Sequence, residues 1–219
     1  MGKIRTSLAL AALVATAFAA PDPAKAAAVG VVLGFNRGSI SGDAPPDAGY
    51  GTQFGLLAGV QGEIGIASDI FLSLQPMYVR RGARISFAEV NSGAGQDSLS
   101  LALDYFAVPV VVKFRAAGGR TYFLGGLDIA FLTAATLSGG GSDVDVKDSF
   151  QSTDVGALLG FGVLFPIGRP RLTVELRYVQ GLVNLAGDSE GEPISALPDR
   201  FHSSGLQCTA GLLFPLGRP

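Results

Sequence analysis

The chain has no tryptophan, one cysteine and one histidine in 219 residues. A lone Cys208 excludes an intrachain disulfide framework, and a lone His202 excludes a histidine-rich metal site. Charge is scarce as well, at 16% of residues, against about 25% in typical soluble domains. A formal net charge of −2 offers no basic surplus, so nucleic acid is not an expected partner. Beyond the N-terminal segment no uncharged apolar run reaches the roughly 18 residues of a helical span; the stretch from Val155 to Gly168 stops short. Yet hydrophobic residues make up 48% of the chain. With so little charge to clothe a wet surface and no helical span, the remaining way to cross a bilayer with every backbone group bonded is a closed barrel.

The first residues belong to something else. Lys3 and Arg5 precede an uncharged run from Thr6 to Ala19, and small residues follow. This is the pattern of a secretory signal peptide, with Ala-x-Ala sites ending at Ala19 and at Ala26. The second site is preferred because Pro21 and Pro23 break the apolar run and Ala27 opens a strand pattern. Residues 1–26 are therefore expected to be removed, leaving 27–219 as one barrel domain with thirteen basic and seventeen acidic residues.

Within that domain, alternation with period two recurs. From Arg171 to Tyr178, Leu172, Val174, Leu176 and Tyr178 share one face, and Thr173, Glu175 and Arg177 the other. Gln53 to Ile64 and Leu206 to Phe214 repeat the pattern. Eight strands are expected: 28–36, 52–64, 70–81, 101–115, 121–133, 153–165, 171–182 and 203–214. Their connections alternate short with long, and the long ones are rich in Gly, Ser and Asp. That is the form of an all-β, eight-stranded antiparallel up-and-down transmembrane barrel. Pro76 and Pro109 fall inside strands and are read as bulges, and Asp104 on an apolar face implies that its strand meets lipid only after it.

Aromatic spacing agrees. Phe106 and Phe114 lie eight apart, as do Phe123 and Phe131, which at about 3.3 Å per residue and a tilt near 40° is roughly 20 Å of height. Phe165 and Phe214 would join a lower girdle, and Phe54, Tyr78 and Tyr178 an upper one.

Four segments carry a resemblance: Leu72-Ser-Leu-Gln-Pro-Met-Tyr-Val-Arg-Arg-Gly82, Leu103-Asp-Tyr-Phe-Ala-Val-Pro109, Leu124-Gly-Gly-Leu127 and Leu172-Thr-Val-Glu-Leu-Arg-Tyr-Val-Gln-Gly-Leu182. They resemble the porin-like outer-membrane β-barrel family, with its PorT-like and OmpX-like small barrels. The resemblance implies the bacterial outer membrane, its lipid and lipopolysaccharide, and the barrel assembly machinery as surroundings. It implies no activity. Five residues follow Phe214, whereas such barrels commonly finish on an aromatic residue.

Three constellations bear on function. Glu63, Gln75, Arg81, Lys113, Asp128, Asp154, Glu175 and Arg177 fall on the inward parity, either as an ion path or as a paired filling; the narrow bore of eight strands favours filling. Asp143-x-Asp145-x-x-Asp148 resembles a calcium cluster but lacks the Gly and terminal Glu of an EF-hand loop, so no metal or other cofactor is expected. His202-x-Ser204 resembles the pair of the outer-membrane lipid A deacylase family; no strand follows to supply the carboxylate that orients the imidazole, and Glu190 or Glu192 of the preceding loop would have to substitute. The favoured reading is a non-enzymatic barrel with a structural or loop-mediated binding role and an undefined loop partner. The alternatives are that hydrolase and a soluble lipocalin-like barrel with its apolar faces inward.

Overall fold

The computed structural model describes residues 27–41, 48–87, 98–139, 141–185 and 202–216. The signal segment and the carboxylates Glu190 and Glu192 lie outside them. Ten strands are formed: β1 (Ala27–Ser41), β2 (Ala48–Ala67), β3 (Ile70–Leu74), β4 (Met77–Phe87), β5 (Ser98–Arg115), β6 (Thr121–Gly139), β7 (Ser142–Asp145), β8 (Thr153–Pro166), β9 (Arg171–Gly181) and β10 (His202–Pro215). β3 and β4 are two halves of one wall strand, and β7 is a short return on the tip of β6. The remaining neighbours pair antiparallel, and β1 pairs with β10 to close the ring at eight.

The offset of that ring follows from its rungs. Val29 faces Gly62, which faces Leu74, then Val110, Leu127, Ala157, Gln180 and Ser204 in turn. Ser204 faces Ser39, ten residues above the start on the same strand. With strands about 4.8 Å apart and about 3.3 Å per residue, this offset tilts the strands by about 41° around a backbone radius of about 8 Å. Short turns and both ends of the described chain share one end of the barrel, where Leu216 N donates to Ala27 O at 2.8 Å. Gly118 and Gly168 take φ of 97° and 69° in the tight turns there, a conformation that a side chain would strain. In bacterial barrels that end is periplasmic.

The strands run further than the alternation implied, because hairpins continue past the membrane. β4 reaches Phe87, β5 starts at Ser98 and β6 ends at Gly139, so part of each expected loop is sheet. The segment 134–152, expected to be loop, also holds β7 and a short 3-10 turn over Lys147–Ser149.

The prolines correct another expectation. Gln75 N donates to Pro109 O and Val60 N to Pro76 O, each at 3.0 Å, while the reciprocal bonds would need N–H groups that proline lacks. Leu74 faces Val110 and Met77 faces Ala107, so the register is the same on both sides. The wall strand is interrupted by missing donors, not by a bulge. An extra residue sits elsewhere: Asp104 faces Ala134 and Tyr105 faces Leu132, leaving Thr133 between, with its Oγ1 donating to the Asp104 carbonyl at 2.8 Å.

The outward face is apolar. Leu33, Leu56, Leu127 and Leu159 stand exposed between two aromatic levels. Phe106 faces Phe131 and Phe114 faces Phe123 in the β5–β6 ladder, giving one aromatic rung at each level. Phe54, Tyr78, Phe165, Tyr178 and Phe214 are likewise outward and exposed, joined by Phe35 and Phe161. A soluble barrel with inward apolar faces requires the reverse arrangement.

Candidate functional site

Inside the wall, charged side chains from six strands meet in two ionic groups. In the upper one, Arg81 of β4 pairs with Asp128 of β6 and, at 3.0 Å, with Asp154 of β8. Ser203 of β10 donates to Asp154 at 2.7 Å, and the guanidinium lies 5.1 Å from the Tyr105 ring centroid. In the lower one, Lys113 of β5 bridges Glu63 of β2 at 3.2 Å and Glu175 of β9 at 2.9 Å. Arg177 pairs with the other oxygen of Glu175, and Tyr122 donates to Glu175 at 2.7 Å. Arg115 pairs with Glu63 at 2.9 Å and lies over Phe71.

Strand parity explains why these residues converge, since alternate positions of every strand point to the axis. All eight residues that the sequence placed inside are buried there; Gln75 takes no part in the ion pairs and donates to Ser73 at 3.0 Å. Arg115 was missed, although it shares parity with Lys113, because it is the last residue of its strand. With it the inward ion-paired set among the described residues is four cations and four carboxylates; Arg171, on the same inward parity at the start of β9, adds a further cation near Arg115. A buried charge of one sign without its partner would be costly, so this pairing lets a narrow interior carry so many charges. Tyr105, Tyr122 and Ser203 were missed too, as polar groups whose role is set by partners on distant strands.

A second polar group faces outward at the upper aromatic level. Arg80 holds Asp104 through two bonds of 2.7 and 3.0 Å, and Tyr78 donates to the same carboxylate at 2.6 Å. Asp104 thus sits where its strand leaves lipid.

The remaining candidates are not assembled with these. His202 and Ser204 share the outward parity at the start of β10, opposite Ser41 and Ser39. The hydroxyl beside them that meets a carboxylate is Ser203, on the inner face, through Asp154. In the β6–β7 tip, Asp145 accepts from the Lys147 N–H at 3.0 Å. Among the described residues no three His, Cys, Asp or Glu side chains converge as metal ligands would.

An apolar, girdled exterior around an ion-paired interior is the physical form of a membrane barrel. A family model described as outer membrane protein beta-barrel domain matches residues 18–187. The chain belongs to that family. This outer-membrane barrel is placed by its family in the bacterial outer membrane. No curated protein matches it. Its form is similar to solved structures of other outer-membrane barrels. The attachment invasion locus protein Ail of Yersinia pestis is 13% identical, with 85% of this chain and 98% of that one covered at a TM-score of 0.43. Neisserial surface protein A is 15% identical, with 84% and 97% covered and a TM-score of 0.44. OprG from Pseudomonas aeruginosa is 10% identical, with 89% and 96% covered and a TM-score of 0.41.

Proposed function

We propose that this outer-membrane barrel is a non-conducting, non-enzymatic wall element whose long outer connections bind a partner at the cell envelope. The observation that carries the reading is the ion-paired interior, in which Arg81, Lys113, Arg115 and Arg177 are all engaged by Glu63, Asp128, Asp154 or Glu175. A solute passing the bore would have to part charges from strands on opposite sides of the barrel. Room is also short: the gap lined by Asn36, Arg81, Ser203 and Gln207 has about 10 Å³, near the minimum for one water. Above it, Phe150 and Leu185 are buried against Leu103 and Leu132 and close the outer end with apolar side chains.

Planar-bilayer recording of the reconstituted barrel tests this. The expected trace shows no steady conductance. A stable pore on the order of a nanosiemens, as wide barrels give, would overturn the filled-bore reading.

A further inference from the structure

On one sector of the outer wall, β1, β2 and β4 depart from regular pairing. β2 faces β4 at Thr52–Ala83 and again at Leu57–Val79, with a register shift between. In that interval β1 and β4 close up: a Cβ built on Gly38 would stand 3.0 Å from the Gly82 carbonyl oxygen, and Asn36 Nδ2 donates to the Arg80 carbonyl at 3.3 Å. β2 stands proud of the wall, with Phe54 and Leu56 at 67% and 73% exposure. Beside them lies an outward groove of about 350 Å³, lined by Phe35, Phe54, Gly55, Leu56, Tyr78 and Arg80, within the roughly 300–1,000 Å³ of ligand pockets.

Cations mark the groove's upper end. Arg37 is exposed, faces Phe54 in the β1–β2 ladder, and follows the Asn36 that holds the Arg80 backbone. Among the described residues, Thr52 takes only Nε of Arg37, at 3.2 Å, leaving both Nη atoms, and Asp104 takes Nε and Nη2 of Arg80, leaving Nη1. Arg84 stands exposed further out on β4. Elsewhere at this level the outward residues of β8, β9 and β10 are Thr153, Gln180 and Ser204, which carry no charge.

We infer that this sector binds lipid A of the outer leaflet, with a phosphate between Arg37 and Arg80 and an acyl chain in the groove below. Paired guanidinium donors suit a phosphorylated headgroup, and the walls Phe35, Phe54, Leu56 and Tyr78 suit a hydrocarbon chain. Arg37 and Arg80 at the groove's end, with Arg84 further out, favour a lipid with more than one phosphate over a phospholipid. The inference rests on the outer-membrane assignment.

The test is native mass spectrometry of the full barrel released from detergent after incubation with bisphosphorylated lipid A, dephosphorylated lipid A or phosphatidylglycerol. One bisphosphorylated lipid A per barrel should be retained, and the other two lipids lost. Arg37→Gln should weaken retention about tenfold, the effect of one charge-assisted hydrogen bond. Phe54→Ala, on an exposed side chain that the fold does not need, should weaken it as well. Equal retention of dephosphorylated lipid A or of phosphatidylglycerol, or no effect of either substitution, would overturn the inference. Heat-modifiable gel mobility in the same samples reports the folded barrel: one that inserts into lipid yet retains no lipid A sinks the site and leaves the membrane assignment standing.

Discussion

β5 crosses two regions with opposite polarity. From Phe106 to Arg115 its outward residues are apolar and its inward set includes Lys113 and Arg115, engaged with carboxylates. From Ser98 to Tyr105 the inward residues are Leu101, Leu103 and Tyr105, fully buried with Ala83, Leu132, Ala135 and Phe150, while Asp104 faces out. β4 runs beside it, with Arg81 inward opposite Leu103 at the boundary and Ala83 and Ile85 inward above. One continuous ladder therefore serves two solvents. In lipid the exterior must be apolar, and the interior there holds the ion pairs between buried apolar side chains such as Val111, Leu124, Leu158 and Val179. Past the aromatic level water surrounds the wall, and the described inward residues of β4 and β5 are a hydrophobic core without ion pairs.

Exchanging the two inward characters gives the largest expected effect. Lys113→Leu leaves Glu63 and Glu175 short of their shared cation, and Leu101→Lys, opposite Ala83, buries an unpaired charge; each should cost about 3–5 kcal/mol. Urea titration of the lipid-reconstituted barrel, followed by circular dichroism, measures both. If Leu101→Lys were neutral, the outer interior would be wet and the comparison would fail.

The next effect concerns the outward faces. Leu159, 69% exposed and midway along β8, should lose about 2–4 kcal/mol on Leu159→Arg, as cations near a bilayer midplane do. Folding yield in vesicles reports it. A neutral result would put that face in water.

The smallest effect should come from Arg84, outward on β4 beyond the aromatic level. Arg84→Val is expected within about 0.5 kcal/mol by the same urea titration. A loss as large as that of Leu159→Arg would mean that the boundary between the two media lies further out than Asp104.

The comparison also explains what the sequence could tell. Alternation showed that Thr173, Glu175 and Arg177 share a face and that Val174 and Tyr178 share the other, and eight such segments implied the closed ring. Alternation cannot say which medium a face meets. Leu101 and Leu103 have the parity of Lys113, and only the position of Asp104 hinted that the surroundings change. Partners were illegible for a different reason: Lys113 joins Glu63 and Glu175 because of register between strands far apart in the chain, and no local pattern encodes it. Pro76 and Pro109 were visible as defects, yet only the unchanged rungs on either side show that the ladder skips donors without gaining a residue.

The seam between β1 and β10 has a consequence for how the molecule is made. Its rungs run from Ala28 with Pro215 to Ser41 with His202, so every one joins the two ends of the described chain. All other rungs of the ring connect segments nearer in sequence. Contacts of such long separation carry the greatest loop-closure entropy and slow folding. Until β10 arrives, β1 offers a row of unpaired N–H and C=O groups, flanked by the apolar Val29, Val31, Leu33 and Phe35, which is a template for pairing with another chain. The newly exported polypeptide is thus most exposed to aggregation just before closure, and any factor that holds those two edges apart from other chains would govern the yield of finished barrels.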